Sequence, residues 1–512
     1  MLAKVFSIFP YGLEGKRVEV EVQIESGLRS FTIVGLPDEA IREAVNRVSL
    51  ALRNSGFISP SQLNKKVTVN LAPADVKKQG SYFDLAIAIG FLTASAQIPK
   101  PEPADIFFGE LSLDGRVLGV RGALALIASA HRQGFTRIFF SSQNAREGIL
   151  VRKIEQFSQE RLGNIVELLR SPQKAKEHLR ISQELESAPK IKSIPLDVGY
   201  YDFSEINGQE TAKRALEIAA AGGHHALLMG PPGAGKSILA RAFTSLLPEL
   251  TPKEAIEVGI ILSITGSLES PLIAKQFRAP HHTASAQALL GGGNPIRPGE
   301  ITLAHKGVLF LDEFPEFHRD ALEALRQPLE SRVINVARSS GNFTFPAAFQ
   351  LIAAANPCPC GFKDDTVFAC ICTPGQLSRY NRKLSGPLTD RIDLWAHVPR
   401  LTKEELLSKG KSAESSSHVH DRVQKAREIQ RQRFGDYSVN SAMTLSEIKK
   451  FCVIDDATQE ILGKAIEQFG LSARGYHKIL KVSRTIADLG KSEDIKREHV
   501  LEALQYRKQN TI

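Results

Sequence analysis

Residues 226–243 constrain the fold more than any other stretch of the chain. Ala226-Leu-Leu-Met229 is a short apolar run, Gly230-Pro231-Pro232-Gly233-Ala234-Gly235-Lys236-Ser237 follows without a spacer, and Ile238-Leu-Ala-Arg-Ala-Phe243 continues as a helix former. A strand that delivers a glycine-rich loop into a helix start makes an anion cradle, because backbone N–H groups turn inward and the helix dipole favours negative charge. The eight loop residues fit GxxxxGK[ST] in the setting that gives the pattern meaning. Lys236 is placed to reach the β- and γ-phosphates of a nucleotide, and Ser237 to hold Mg²⁺. An α/β unit is therefore required around this loop.

Two later apolar runs supply the rest of such a site. Gly307-Val-Leu-Phe-Leu311 ends in Asp312-Glu313, two carboxylates at the C-terminal end of a buried strand, where α/β sheets place ligands. Asp312 is expected in the Mg²⁺ shell, and Glu313 is expected to orient and deprotonate an attacking water. Leu351-Ile-Ala-Ala-Ala355 ends in Asn356, which either positions that water against the γ-phosphate or is a turn residue before Pro357.

At 512 residues, and roughly 150 per domain, the chain has room for about three domains. Residues 1–170 read as a first α/β unit. Val18–Ile24 alternates as a half-buried strand, Val67–Leu71 and Arg137–Phe140 are further strands, and 38–54 and 122–133 have helical periodicity. Residues 171–200 are charged and apolar-poor, and read as a linker. Residues 201–400 form the second α/β unit, and 401–512 read as all-helical. The longest uncharged helix-like stretch, Leu85–Ile98, is too short to span a bilayer and reads as core. With no signal-peptide pattern, the reading is a cytoplasmic protein without a membrane partner.

These motifs resemble the magnesium-chelatase-like branch of the AAA+ ATPases, and within it the ComM/YifB group. The likeness rests on Arg278-Ala-Pro-His-His282, Leu290-Gly-Gly-Gly293, Pro298–His305, Ser385-Gly-Pro-Leu-Thr-Asp-Arg391-Ile-Asp393 and Leu471-Ser-Ala-Arg474-Gly-Tyr476, and it covers essentially the whole chain. The resemblance implies an AAA+ ATPase domain with an α-helical C-terminal lid. It makes Arg391 an arginine finger acting in a neighbouring subunit, and Arg474 a nucleotide sensor at the start of a lid helix. A finger supplied in trans implies a homo-oligomeric ring, and the family implies a hexamer.

Gly109–Leu118 and Lys78–Asp84 resemble segments of the Lon protease domain, which implies a Lon-protease-like (S5-like) α/β N-terminal domain. Laid over that pattern, the nucleophile position falls near Tyr82 and the lysine position near Leu124. Ser81 is adjacent but has no evident base, so a Lon-like fold without protease chemistry is expected.

Four of the five cysteines form two CxC pairs, Cys358/Cys360 and Cys370/Cys372. They are read as one structural Zn²⁺ site, with reduced unliganded thiols or a redox switch as the alternatives. Cys452 reads as core. The net charge of +9 permits a polyanionic partner without requiring one. Residues 275–306 (Lys275, Arg278, a Gly291–Gly293 run expected to be mobile) and a hairpin over 332–347 bearing Arg338 are candidate contacts to DNA backbone; solvated loops are the alternative. His281-His282 reads as structural or pore-lining. The leading expectation is an ATP-driven hexameric motor acting on branched or single-stranded DNA, in branch migration during natural transformation and recombination. The competing expectation is a magnesium-chelatase-type ATPase subunit that remodels a protein partner.

Overall fold

The computed structural model describes residues 1–74, 77–171, 173–177, 201–268, 273–293, 296–338, 341–363, 365, 367–384, 386, 388–403, 414–435 and 438–507. Most of the expected linker lies outside these residues, as do 404–413 and Ser339-Ser340 of the expected hairpin. The chain forms two compact units. One comprises Met1–Ser193, Pro252–Ile273 and Asn335–Phe345; the other comprises Ile194–Thr251, Ala274–Ile334 and Pro346–Ile512.

In the first unit a seven-stranded mixed sheet runs in the order Ser30–Val34, Lys66–Ala72, Glu14–Glu25, Leu2–Tyr11, Asp105–Phe107, Arg137–Ser141, Glu155–Gln159. The alternation at Val18–Ile24 sets its register, because a one-residue slip would turn the buried Val18, Val20, Val22 and Ile24 to the other face. Val20 accordingly pairs with Val5 on one side and Leu71 on the other. Helix Asp84–Ala94 is apolar all round and buried, as its sequence requires. Its one charge, Asp84, is met by Arg47 through two hydrogen bonds of 2.8 and 3.1 Å. Burial nevertheless raises the Asp84 carboxyl to about 6, with Arg47 opposing the shift.

Leu124 is fully buried on helix Ala123–Arg132. Its Cδ2 lies 2.8 Å from where a Cβ on Gly259 would stand, so the helix Pro252–Thr265 approaches through that glycine. The Ser81 hydroxyl donates to the Glu110 carboxylate. Burial, against the Arg121 charge, pushes the Tyr82 hydroxyl up to about 12. The expected hairpin forms from Val333–Arg338 and Gly341–Pro346. Phe343 packs on Tyr11 with ring centroids 4.8 Å apart, and Gly341 leaves room for the Tyr11 hydroxyl, which would stand 2.1 Å from a Cβ there.

The second unit is built on a five-stranded parallel sheet ordered Phe277–Arg278, Val308–Leu311, Gln350–Ala355, Ala226–Met229, Leu394–His397. The strands are near-continuous apolar runs because both faces are covered, as parallel sheets demand. The C-terminal part is helical: Ser416–Phe434, Leu445–Phe451, Asp456–Phe469, Ala473–Leu489 and Arg497–Gln505. A buried polar chain ties it to the sheet edge. His224 places Nδ1 3.2 Å from Asp393 and Nε2 2.8 Å from the Thr485 hydroxyl, and Lys478 donates to the Ile392 carbonyl at 2.7 Å. Burial alone would raise Asp393; the His224 hydrogen bond and the Lys478 charge hold it far below the usual carboxylate range.

Candidate functional site

Parallel register brings the expected residues to one end of the sheet. Met229 pairs with Ala355, and Leu311 with Ala353, so Gly230, Asp312 and Asn356 all emerge at the C-terminal edge. The three glycines of the loop have two different jobs. At Gly230 a Cβ would stand 1.9 Å from the Val398 carbonyl oxygen, so only glycine lets the two strands close. Gly233 and Gly235 have φ of +77° and +91° with nothing within 4 Å of a Cβ. They leave an open concavity of left-handed backbone, the geometry in which successive N–H groups face one anion.

Lys236, the first residue of helix Lys236–Leu246, reaches back across this concavity. Its Nζ donates to the carbonyls of Gly230 (2.7 Å) and Pro231 (2.9 Å) and to Asn356 Oδ1 (3.1 Å). Burial lowers the ammonium's affinity for its proton, and the charges of Asp312 and Glu313 partly restore it. Ser237 donates to Asp312 Oδ2 at 2.7 Å, which puts a hydroxyl and a carboxylate side by side as a hard-cation site needs. Glu313 follows with φ +50°, a strained backbone for a non-glycine residue. The loop, Asp312, Glu313 and Asn356 together line a cleft of about 390 Å³.

Four residues of this neighbourhood carry contacts that sequence patterns did not assign. His282 Nδ1 lies 3.2 Å from Glu313 Oε2, so the second histidine of the His281-His282 pair meets the carboxylate expected to activate water. Gln209 joins the loop to the sheet edge, donating to the Ala234 and Pro399 carbonyls at 3.3 and 2.7 Å. The Tyr380 hydroxyl donates to the Asn356 carbonyl at 2.9 Å. Glu330 accepts from both Arg391 and Arg474, the latter at 2.7 Å. The Arg474 bond comes first in holding Glu330 below the usual carboxylate range. Those two arginines therefore converge, although neither lines the cleft. Arg474 is the second residue of helix Ala473–Leu489, capped by Ser472, whose hydroxyl accepts from Gly475 N–H at 3.2 Å.

The basic candidates separate. Arg278 is paired with Glu300 through bonds of 2.7 and 2.8 Å, so its charge is locally matched. Lys275 is half-buried and Arg338 is exposed on the hairpin. The Gly291–Gly293 run differs from the expected mobile loop: Gly291 and Gly292 pair with Pro298 and Arg297 in a short antiparallel ribbon. A Cβ on Gly291 would stand 2.4 Å from the Arg297 carbonyl oxygen, so Gly291 serves close backbone approach.

The four clustered cysteines do come together. Among the described residues, Cys358, Cys360, Cys370 and Cys372 are the group able to share one metal ion, with all four Sγ atoms within 4.8 Å of one another. Cys452 is buried elsewhere, and burial pushes its thiol up to about 12. No helix among the described residues is long and apolar enough to cross a membrane.

The fold and the cleft define a phosphate-loop nucleotide-binding protein with a magnesium-chelatase-like AAA+ architecture. Profiles described as magnesium chelatase subunit ChlI match residues 202–406, subunit ChlI of Mg-chelatase residues 20–144, and the ChlI C-terminal region residues 413–507. The chain is 43% identical to competence protein ComM of Haemophilus influenzae, covering 99% of this chain and 97% of that one. It is 41% identical to YifB of Escherichia coli, covering 97% and 95%. Similarity to the magnesium-chelatase subunit ChlI of Olisthodiscus luteus is 29% and covers 31% of this chain and 51% of that one. The chain belongs to the ComM/YifB family of magnesium-chelatase-like ATPases.

Proposed function

We propose that this protein is an ATP-driven motor that acts on branched or single-stranded DNA as a homo-oligomeric, hexameric ring, moving branch points during natural transformation and recombination. The observation that carries its ATPase half is the meeting of Lys236, Ser237, Asp312, Glu313 and Asn356 around one open cleft at the end of a parallel sheet. The loop's left-handed glycines and buried Lys236 fit a triphosphate, and the Ser237–Asp312 pair fits Mg²⁺. Ser237 and Asp312 would hold Mg²⁺, which would supply neutralisation of the phosphate charge. Loop N–H groups and Lys236 bind the phosphates. Glu313 takes the proton of the attacking water, and the Asn356 amide fixes its direction. Arg391 acts on a neighbour's γ-phosphate and Arg474 reports nucleotide to the helical lid.

The competence name and full-length similarity of the Haemophilus relative support the DNA half. The alternative, a chelatase subunit that remodels a protein partner, is the more distant reading, since the Olisthodiscus chelatase subunit is 29% identical over 31% of this chain. Residues 1–170 are read as a Lon-like domain without a protease dyad, 201–400 as the ATPase domain and 401–512 as the lid, joined through 171–200, in a cytoplasmic protein. The four cysteines are read as one structural zinc site.

ATP hydrolysis measured with and without forked and four-way DNA tests the proposal. Stimulation by branched DNA, and strand exchange that requires hydrolysable ATP, are expected. Hydrolysis indifferent to DNA, with no binding of forked, four-way or single-stranded DNA at low salt, would replace it with the protein-remodelling reading.

A further inference from the structure

The cysteine knuckle stands directly against the nucleotide cleft. Cys358 is fully buried and follows Asn356 by two residues at the end of the Gln350–Ala355 strand. Gly361, at φ +84°, packs on the phosphate loop so closely that a Cβ there would stand 2.6 Å from Pro232 Cδ and 2.8 Å from its Cγ. The second pair leads the other way. Cys372 is followed by Thr373, which caps helix Pro374–Lys383, and Tyr380 of that helix returns to the Asn356 carbonyl. The first pair thus hangs on the strand that ends in Asn356, and the second on the helix that grips its backbone.

The sulfur geometry fits one tetrahedral ion. Four thiolates at a Zn–S distance of ~2.3 Å stand about 3.8 Å from one another. Here Cys358 Sγ lies 3.3 Å from Cys360 Sγ and 3.7 Å from Cys370 Sγ, with Cys360 and Cys370 3.6 Å apart. Backbone N–H groups already point at two of the sulfurs, Lys363 N at Cys358 (3.2 Å) and Cys360 N at Cys372 (3.4 Å). Such bonds orient thiolate ligands and spread their charge.

We infer that the Cys358–Cys372 knuckle, closed on one zinc ion, is a brace that holds Asn356 and Pro232 in register, so that metal loading sets nucleotide affinity. The inference rests on reading the cleft as an ATP site. Its physical basis is the cross-link: an ion shared by both pairs joins the two chain segments that fix Asn356, while Gly361 carries the same constraint to the phosphate loop. Coupling between two sites is reciprocal, so nucleotide must also tighten zinc by the factor by which zinc tightens nucleotide.

The test uses the full chain. Zinc content is measured after purification without chelator, and the dissociation constant of a fluorescent non-hydrolysable ATP analogue with Mg²⁺ is compared for loaded, stripped and zinc-restored protein. Zinc affinity is measured in parallel by competition with a chromophoric chelator, with and without the analogue. About one zinc per chain is expected, with analogue binding weakened about fivefold or more on stripping, restored on re-addition, and mirrored in zinc affinity. Gly361→Ala should keep its zinc and still bind the analogue more weakly, which separates the brace from general unfolding. Chains without zinc, equal analogue affinity in loaded and stripped protein, or Gly361→Ala binding as the wild type does, would each overturn the inference. If loaded wild-type protein does not bind the analogue better than Lys236→Ala, the ATP-site reading fails instead, whatever the zinc content.

Discussion

Both Asp312 and Glu313 line the cleft, and the proposal gives them different jobs, because Asp312 is engaged by Ser237 while Glu313 has His282 at its side. Glu313→Gln should therefore keep nucleotide affinity and lose turnover by about 10²-fold or more, the usual range for deleting a general base. Asp312→Asn should instead weaken Mg²⁺-dependent binding, seen as a raised Mg²⁺ requirement in an equilibrium nucleotide-binding titration. Equal loss of binding in both variants would mean the two carboxylates share one role. At this scale the sequence was easiest to read where a residue's work is local. Lys236 and Ser237 belong to one eight-residue loop whose spacing is itself the signal, so the pattern around them was enough to single them out. His282, Gln209, Glu330 and Tyr380 make contacts across 24 to 190 residues of sequence, as in Tyr380–Asn356 and Gln209–Pro399, and no local pattern announces such a contact.

Elements whose periodicity reports a single buried face were also legible: strand Glu14–Glu25 and helix Glu39–Asn54 contain or match the alternation at 18–24 and the helical spacing at 38–54, and the described C-terminal part is helical as its sequence reads. How those elements join was not legible. The His224-His225 pair shows why, since it connects a turn after helix Glu210–Gly222 to residues far along the chain. His225 Nδ1 accepts from Leu351 N–H at 3.0 Å, a bond only the neutral ring can make, and burial lowers the imidazole to about 4 against the opposing Asp393 charge. The unfolded chain takes up that proton near the ordinary value of about 6.5. Between the two values the unfolded state holds more protons, so stability rises with pH through this window. Thermal unfolding midpoints should be flat above pH 6.5 for this contribution and fall as pH drops from about 6.5 toward 4. His225→Asn, whose amide oxygen can accept the same bond, should flatten that part of the curve; an unchanged slope would assign it to other groups.

For the whole molecule, an arginine finger acting in trans makes a specific demand on mixtures. Arg391→Ala and Lys236→Ala subunits should each be inactive alone and recover part of the ATPase when mixed, because a mixed interface pairs an intact loop with an intact finger. Recovery on mixing is measured as turnover against subunit ratio; none at any ratio would count against the trans role. The DNA half of the proposal predicts binding with little sequence preference that weakens steeply as salt rises. Neutralising Lys275, Arg278 and Arg338 together should reduce DNA affinity and DNA-stimulated hydrolysis while leaving basal turnover in place. Because Arg278 is already matched by Glu300, Arg278→Ala alone should cost less DNA affinity than Arg338→Ala on the exposed hairpin, which single-variant salt titrations resolve.

The phosphate loop, the carboxylates after an apolar strand, the paired cysteines and the alternating strands were all determined by the sequence alone. Each is a short-range pattern, and its chemistry depends on residues a few positions apart. Only the tertiary structure decided which strand ends lie side by side in the order that sets Asp312 next to Ser237. It also decided that Gly291 and Gly292 are paired in a ribbon, and that Glu330 holds two arginines. The same is true of the cysteine knuckle, which presses through Gly361 on Pro232. These outcomes depend on parallel register and on close backbone approach between distant segments, and a linear pattern carries neither.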